Sequence, residues 1–165
     1  MGYKVTKADA PTWKPGLTET DHLGFQTFED LEVYRVAREF RKAMYGVTRR
    51  LPDFEKYELA CQIRRAAVSL TNNIAEGHGR FHYPDQIRFI LHSRGSIEEL
   101  VDDLNVCLDE VYLPSDEVVK LKEKALGVLA LLNGYLRFLR GRSPSVRESN
   151  SSYPVREDSL DGSGL

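Results

Sequence analysis

The sequence predicts an all-α protein, an antiparallel up-down-up-down four-helix bundle between flexible N- and C-terminal tails. Three observations carry that expectation. Four blocks of the chain repeat apolar residues at alternating steps of three and four, the rhythm of a helix seam. The breaks between blocks are short and marked by Pro52, Gly77, Gly79 and Pro114, so consecutive helices are antiparallel neighbours. Both ends of the chain lack any such rhythm. At 165 residues, 41% of them apolar, the chain is long enough for one domain with its own core. We assign residues 1–26 to a flexible arm, 27–141 to the bundle and 142–165 to a disordered Ser/Gly/acid-rich tail.

In the arm, Trp13 stands out between polar residues, either as an anchor for a partner or as a side chain that packs on the chain's own bundle. The first helix is expected after Thr27, whose hydroxyl caps an orphan amide while Glu29 and Asp30 complement the helix dipole. Its seam is Val33, Val36, Phe40, Met44, Val47 and Leu51, with Arg35, Arg38, Arg41 and Lys42 on other faces and Arg49 and Arg50 at its end. The second helix is expected from a cap at Asp53 to Gly77, where glycines on either side of His78 supply positive-φ freedom for the turn. The third takes Pro84 in its first turn and carries the seam Ile87, Ile90, Arg94, Ile97, Val101, Leu104, Leu108 and Val111. Arg94 is the discord in that seam and is expected either to find a carboxylate such as Glu76 or Glu99 or to carry its head group out to an interface, with Gly95 and Ser96 admitting a close helix. The acids Glu98, Glu99, Asp102, Asp103, Asp109 and Glu110 read as a solvated or ion-paired face. The fourth helix is expected to open on a Ser115 cap, with a seam of Val118, Leu121, Ala125, Val128, Leu132, Tyr135 and Leu139. Leu126, Leu129, Leu131, Leu136 and Phe138 exceed what one seam needs, which predicts a second packing partner.

The second helix is the most informative stretch. Leu59, Ile63, Ala66, Leu70 and Ile74 share one face, while Gln62, Arg65, Ser69, Asn73 and Glu76 form a narrow polar line. With Ala60, Val68, Thr71 and Ala75 in the remaining sector, the helix is expected to be covered on more than one side. Gln62, Arg65, Asn73 and Glu76, joined by Arg94, read as a polar network that fixes assembly rather than as an active site. Walker, dinucleotide, nucleophile-elbow and zinc patterns are absent from the sequence, and His78 and His82 straddle a predicted turn, so no metal or cofactor is expected. Cys61 and Cys107 read as small core residues of a reduced protein. With 23 Lys+Arg against 25 Asp+Glu, the net charge of −2 gives no bulk attraction to nucleic acid. No apolar run approaches membrane-spanning length, so a cytoplasmic protein without a membrane partner is expected.

The runs DLEVYRVAREFRKAMYGVTRRLP, YELACQIRRAAVSLTNNIAEGHGR, IRFILHSRGSIEEL and LLNGYLRFLRGR, from about Phe28 to Arg142, resemble the bacterial four-helix bundle proteins of 23S rRNA intervening sequences. That family is in turn similar to the accessory variability determinant of diversity-generating retroelements. The resemblance implies a homopentamer without catalytic activity, and an accessory or scaffold role toward a protein or nucleic-acid partner such as a reverse transcriptase or RNA. In five copies, Arg35, Arg38, Arg41, Arg49, Arg50, Arg64 and Arg80 would form a candidate nucleic-acid-binding ring. The near-neutral charge departs from the basic character of the retroelement relative.

Overall fold

The computed structural model describes residues 27–143, and the arm with Trp13 and the chain after Ser143 lie outside them. Four α-helices follow in order: α1 Glu32–Thr48, α2 Leu59–His78, α3 Tyr83–Asp109 and α4 Ser115–Arg142. Among the described residues there is no strand. Each helix packs on its two neighbours around a square, α1 on α2, α2 on α3, α3 on α4 and α4 back on α1. This is the up-down-up-down bundle. One end carries the start of α1, the α2–α3 turn and the end of α4; the other carries the α1–α2 and α3–α4 connections. No helix among the described residues is long and apolar enough to cross a membrane.

Local chemistry explains each element. Thr27 does cap, but it caps a 3-10 turn, Phe28–Asp30. Its hydroxyl accepts from the Glu29 amide at 3.2 Å while its own amide donates to Asp30 Oδ2 at 2.9 Å, a reciprocal box. Leu31 is extended, and α1 starts one residue later. Asp53 likewise opens a 3-10 turn, Asp53–Lys56, and not α2. The side chain that caps α2 is Glu55: its Oε2 accepts the Leu59 amide at 3.1 Å and its Oε1 accepts the Tyr112 hydroxyl at 2.8 Å. That bond to a carboxylate pushes the Tyr112 phenol up to about 12. Pro114, not Ser115, is the N-cap of α4, and no side chain caps that helix.

The core draws on all four helices, with Phe40, Met44, Ile63, Leu70, Ile74, Ile90, Ile97, Leu100, Leu104, Leu132 and Leu139 among its fully buried side chains. The expected face of α2 is buried throughout, and Ala60, Ala67 and Thr71 are buried with it, because α2 lies between α1 and α3. The seams of α1 and α3 differ from expectation by one residue. On α1, Ala37 is 0% exposed and Val36 36%. On α3, Ser93, Ser96, Leu100 and Cys107 are buried, whereas Arg94 and Leu108 are exposed and Val101 is half-buried. Here α3 lies close against α2: Ser93 Oγ donates to the Leu70 carbonyl at 2.9 Å and Ser96 Oγ to Ser69 Oγ at 2.8 Å.

Gly77 belongs to that contact. It stays inside α2, and Gly79 after it has φ −76°, so neither glycine supplies a positive φ. A Cβ at Gly77 would meet Phe89 Cβ at 3.1 Å and the Gln86 carbonyl at 3.3 Å; glycine is required there for closeness. Gly95, expected to admit a neighbour, faces open space. Among the described residues other than glycine, the one positive φ is 59° at Val111, where a branched Cβ is strained.

Candidate functional site

The α1–α2 face is the part of the bundle whose chemistry is not used up by folding. Two stripes meet there. On α1, Arg41, Tyr45 and Arg49 recur at steps of four, beside the core stripe of Phe40, Met44 and Val47. On α2, Cys61, Arg64, Arg65 and Val68 occupy successive turns. Packing the two helices antiparallel brings the stripes side by side. Tyr45 sits at their centre, in the lining of three adjoining recesses. The first, about 610 Å³, is bounded by Arg41, Lys42, Arg49 and Val68. The second, about 510 Å³, is bounded by Cys61, Arg64, Arg65, Ser69 and Asn72. The third, about 360 Å³, runs to Lys56, with Asp53 as the acid in its lining.

Six cations thus surround one tyrosine, and their partners decide what each is free to do. Arg41 is held by a bond from Nη1 to Thr71 Oγ1 at 2.8 Å, and Arg64 by a bond from Nη2 to the Lys56 carbonyl at 3.0 Å. Both retain further guanidinium N–H donors. Lys42 pairs with Glu39 at 2.6 Å across a solvent-exposed turn, which draws the Glu39 carboxyl below its usual range. The side chains of Arg49 and Arg65 make no hydrogen bond or ion pair among the described residues. Such a face suits a chain of phosphates: guanidinium groups bind them in pairs of hydrogen bonds, and an aromatic ring offers a stacking surface to a base.

The structure sorts the sequence candidates. Of the proposed cationic ring, Arg41, Arg49 and Arg64 lie in this face. Arg35 turns to the Asp30 carbonyl, and Arg38 is exposed on α1 outside the recesses. Arg50 grips Glu117 of α4 through both guanidinium nitrogens, one at 3.0 Å, which raises the arginine and lowers the carboxyl. Arg80 pairs with Glu76 and stacks on Phe89 at the far end of α2.

The five residues read as one polar network are not bonded to one another. Asn73 donates to the Ser69 carbonyl at 2.8 Å and to its hydroxyl at 3.0 Å, and Gln62 is exposed. Glu76 is taken by Arg80. Arg94 reaches neither Glu76 nor Glu99: it is exposed and lies 3.7 Å from Glu98, one turn on, because the seam passes through Ser93. Arg65 leaves the network for the cationic face.

Sequence reasoning missed Tyr45, Lys56 and the groove role of Cys61. The signal was present in the four-residue spacing of Arg41, Tyr45 and Arg49, next to a seam and not in it. Cys107, by contrast, is buried as expected, and burial pushes its thiol up to about 11.

Fold and face together define an antiparallel helical bundle with a concave cationic surface between its first two helices. The sequence profile of the 23S rRNA-intervening sequence proteins matches residues 29–134. The chain belongs to that family. No curated protein matches it.

Proposed function

We propose that this protein acts without catalysis, as a helical bundle whose α1–α2 face holds RNA. The observation that carries this reading is the convergence of Arg41, Lys42, Arg49, Lys56, Arg64 and Arg65 on Tyr45. A net charge of −2 does not oppose it, since the phosphates meet the local field of this face. Family membership points to the same class of ligand, because the family is named for intervening sequences of 23S rRNA. A cytoplasmic location belongs to the same proposal.

The test is fluorescence anisotropy of a labelled single-stranded RNA, titrated with the protein at several salt concentrations. Binding is expected at low salt, weakening linearly in log[salt] with a slope of about −0.7 per phosphate contacted. Arg49→Glu with Arg65→Glu is expected to weaken binding at least tenfold and to flatten the slope, whereas Arg80→Glu changes little. No binding of the wild type at low salt overturns the proposal.

A second feature supports assembly as part of the same function. Part of the apolar surplus of α4 is absorbed inside the bundle, where Leu136 is buried and Leu129 and Leu131 pack on the core. Leu126 stays 63% exposed and Val119, two turns before it, is also uncovered. We infer that this strip joins copies of the chain into a homo-oligomer, a pentamer by the resemblance of the sequence. The oligomer serves as a scaffold, and a reverse transcriptase is the protein partner that the retroelement resemblance adds.

A further inference from the structure

The end of the bundle that carries the α1–α2 and α3–α4 connections presents an apolar surface that the RNA reading leaves unused. Phe54 is 71% exposed, Tyr57 78% and Val111 83%. They belong to one surface, because Phe54 meets the Tyr112 ring edge-on at 6.3 Å and Glu55 holds the Tyr112 hydroxyl at 2.8 Å. Val111 is also, among the described residues other than glycine, the one with a positive φ, and backbone strain of this kind persists where the surroundings impose it. Every one of these apolar side chains has an exposed acid beside it: Asp53 next to Phe54, Glu58 next to Tyr57, Glu110 next to Val111. Asp109 adds a fourth carboxylate, Lys56 lies 5.4 Å from the centre of the Tyr57 ring, and on one side Asp53 borders the third cationic recess with Arg49 and Arg64. The surface is therefore an aromatic patch inside an acidic rim.

The chain itself contains a segment of the opposite character. Residues 3–14 read YKVTKADAPTWK, with Tyr3 and Trp13 among Lys4, Lys7 and Lys14, against the single acid Asp9. We propose that this basic aromatic segment docks on the aromatic patch of its own chain, with Trp13 against Phe54 and Tyr57 and the lysines against Glu58, Asp109 and Glu110.

Reach permits it. From Trp13 to Thr27 the chain spans up to about 46 Å when extended. The 17 residues of α1 rise about 25 Å, and one interhelix spacing adds about 10 Å sideways. Phe81, 98% exposed at the nearer end, is the competing aromatic, but its neighbours Arg80 and His82 carry no negative charge and do not suit a lysine-bearing segment.

Trp13 is the sole tryptophan, so intrinsic fluorescence of the full chain reports on this residue alone. Its emission is expected to be blue-shifted, and its quenching by acrylamide several-fold weaker than in urea. Phe54→Ser with Tyr57→Ser, and separately Asp109→Lys with Glu110→Lys, are expected to restore free quenching while far-UV circular dichroism stays unchanged, since all four side chains are exposed. Phe81→Ser leaves the shielding intact. Trp13 as accessible in the native chain as in urea overturns the proposal, as does shielding that survives both double variants. Shielding that disappears on dilution assigns the patch to the arm of another copy, and shielding that appears only with RNA assigns the arm to nucleic acid; either result overturns docking within one chain.

Discussion

Asp103 is a carboxylate that the fold buries without full compensation. It is 5% exposed, and its Oδ2 has no hydrogen-bond partner among the described residues. Burial, with smaller contributions from Glu99 and Asp102, pushes its carboxyl up from 3.8 to about 6. The unfolded chain titrates it near 3.9. Between about pH 4 and 6 the folded state therefore holds a proton that the unfolded state has released. The penalty for ionising Asp103 is absent below that window, grows through it, and is complete above about pH 6, where it reaches roughly 2–3 kcal/mol. Urea unfolding of the wild type from pH 4 to pH 8 should show stability falling through this range. Asp103→Asn removes the titration and should flatten that component, leaving the variant more stable than wild type at pH 8. Equal pH profiles for the two proteins would refute this account. An acid among five others on one helix reads from sequence as solvated, and only its place on the buried stripe of α3 with Ser96, Leu100 and Cys107 shows that this one is not.

At the scale of elements, the contact of α2 with α3 is built from small residues. Ala66, Ala67 and Gly77 on α2, with Ser93 and Ser96 on α3, are all buried, and two serine hydroxyls bond across or along the contact. This explains which parts of the fold were legible. Helix order, antiparallel packing and the α2 core face rest on large aliphatic residues at clear spacing, and apolar periodicity found them. The α3 seam yielded in part: Ile87, Ile90, Ile97 and Leu104 are buried as expected, but Arg94 and Val101 keep the same three-four rhythm as the buried stripe through Ser93, Ser96 and Leu100. Small polar residues in a close contact carry no apolar signal. The basic face was half legible for a related reason: single cations can be read off the chain, but their assembly around Tyr45 needs the register of two helices. The same contact makes a prediction. Alanine favours a helix over glycine by about 0.8–1 kcal/mol, so Gly95→Ala, in open space, should raise the melting temperature by a few degrees. Gly77→Ala must displace Phe89 Cβ and the Gln86 carbonyl, and overpacking of this kind costs about 1–3 kcal/mol. It should lower the melting temperature despite the better propensity. Thermal denaturation of the pair checks the argument, and a gain at both positions would contradict the close contact.

For the whole molecule, the distribution of charge matters more than its sum. Six cations line the recesses between α1 and α2, six more stand along α4 at Lys120, Lys122, Lys124, Arg137, Arg140 and Arg142, and exposed acids lie on the outer face of α3 and at the connection end of the bundle. On the proposed reading a single copy would offer RNA two cations whose side chains have no hydrogen bond or ion pair among the described residues, Arg49 and Arg65, and four that are partly engaged, a modest electrostatic footprint. The proposed joining of copies would multiply that footprint, because a strand bound to one face would meet the next at high effective concentration. The exposed strip of Leu126 and Val119 on α4 lies on the helix diagonal to α2 in the bundle square, so copies joined there leave the basic faces free. Leu126→Glu places a charge in that strip without touching the core or the groove. Light scattering at micromolar concentration should give a multiple of the chain mass for wild type and a single chain for the variant. RNA affinity per chain should then fall at least tenfold, with a shallower salt dependence, while circular dichroism stays the same. A wild type that scatters as a single chain would remove assembly from the proposed function. Full RNA affinity in a monomeric Leu126→Glu variant would show that one basic face is sufficient.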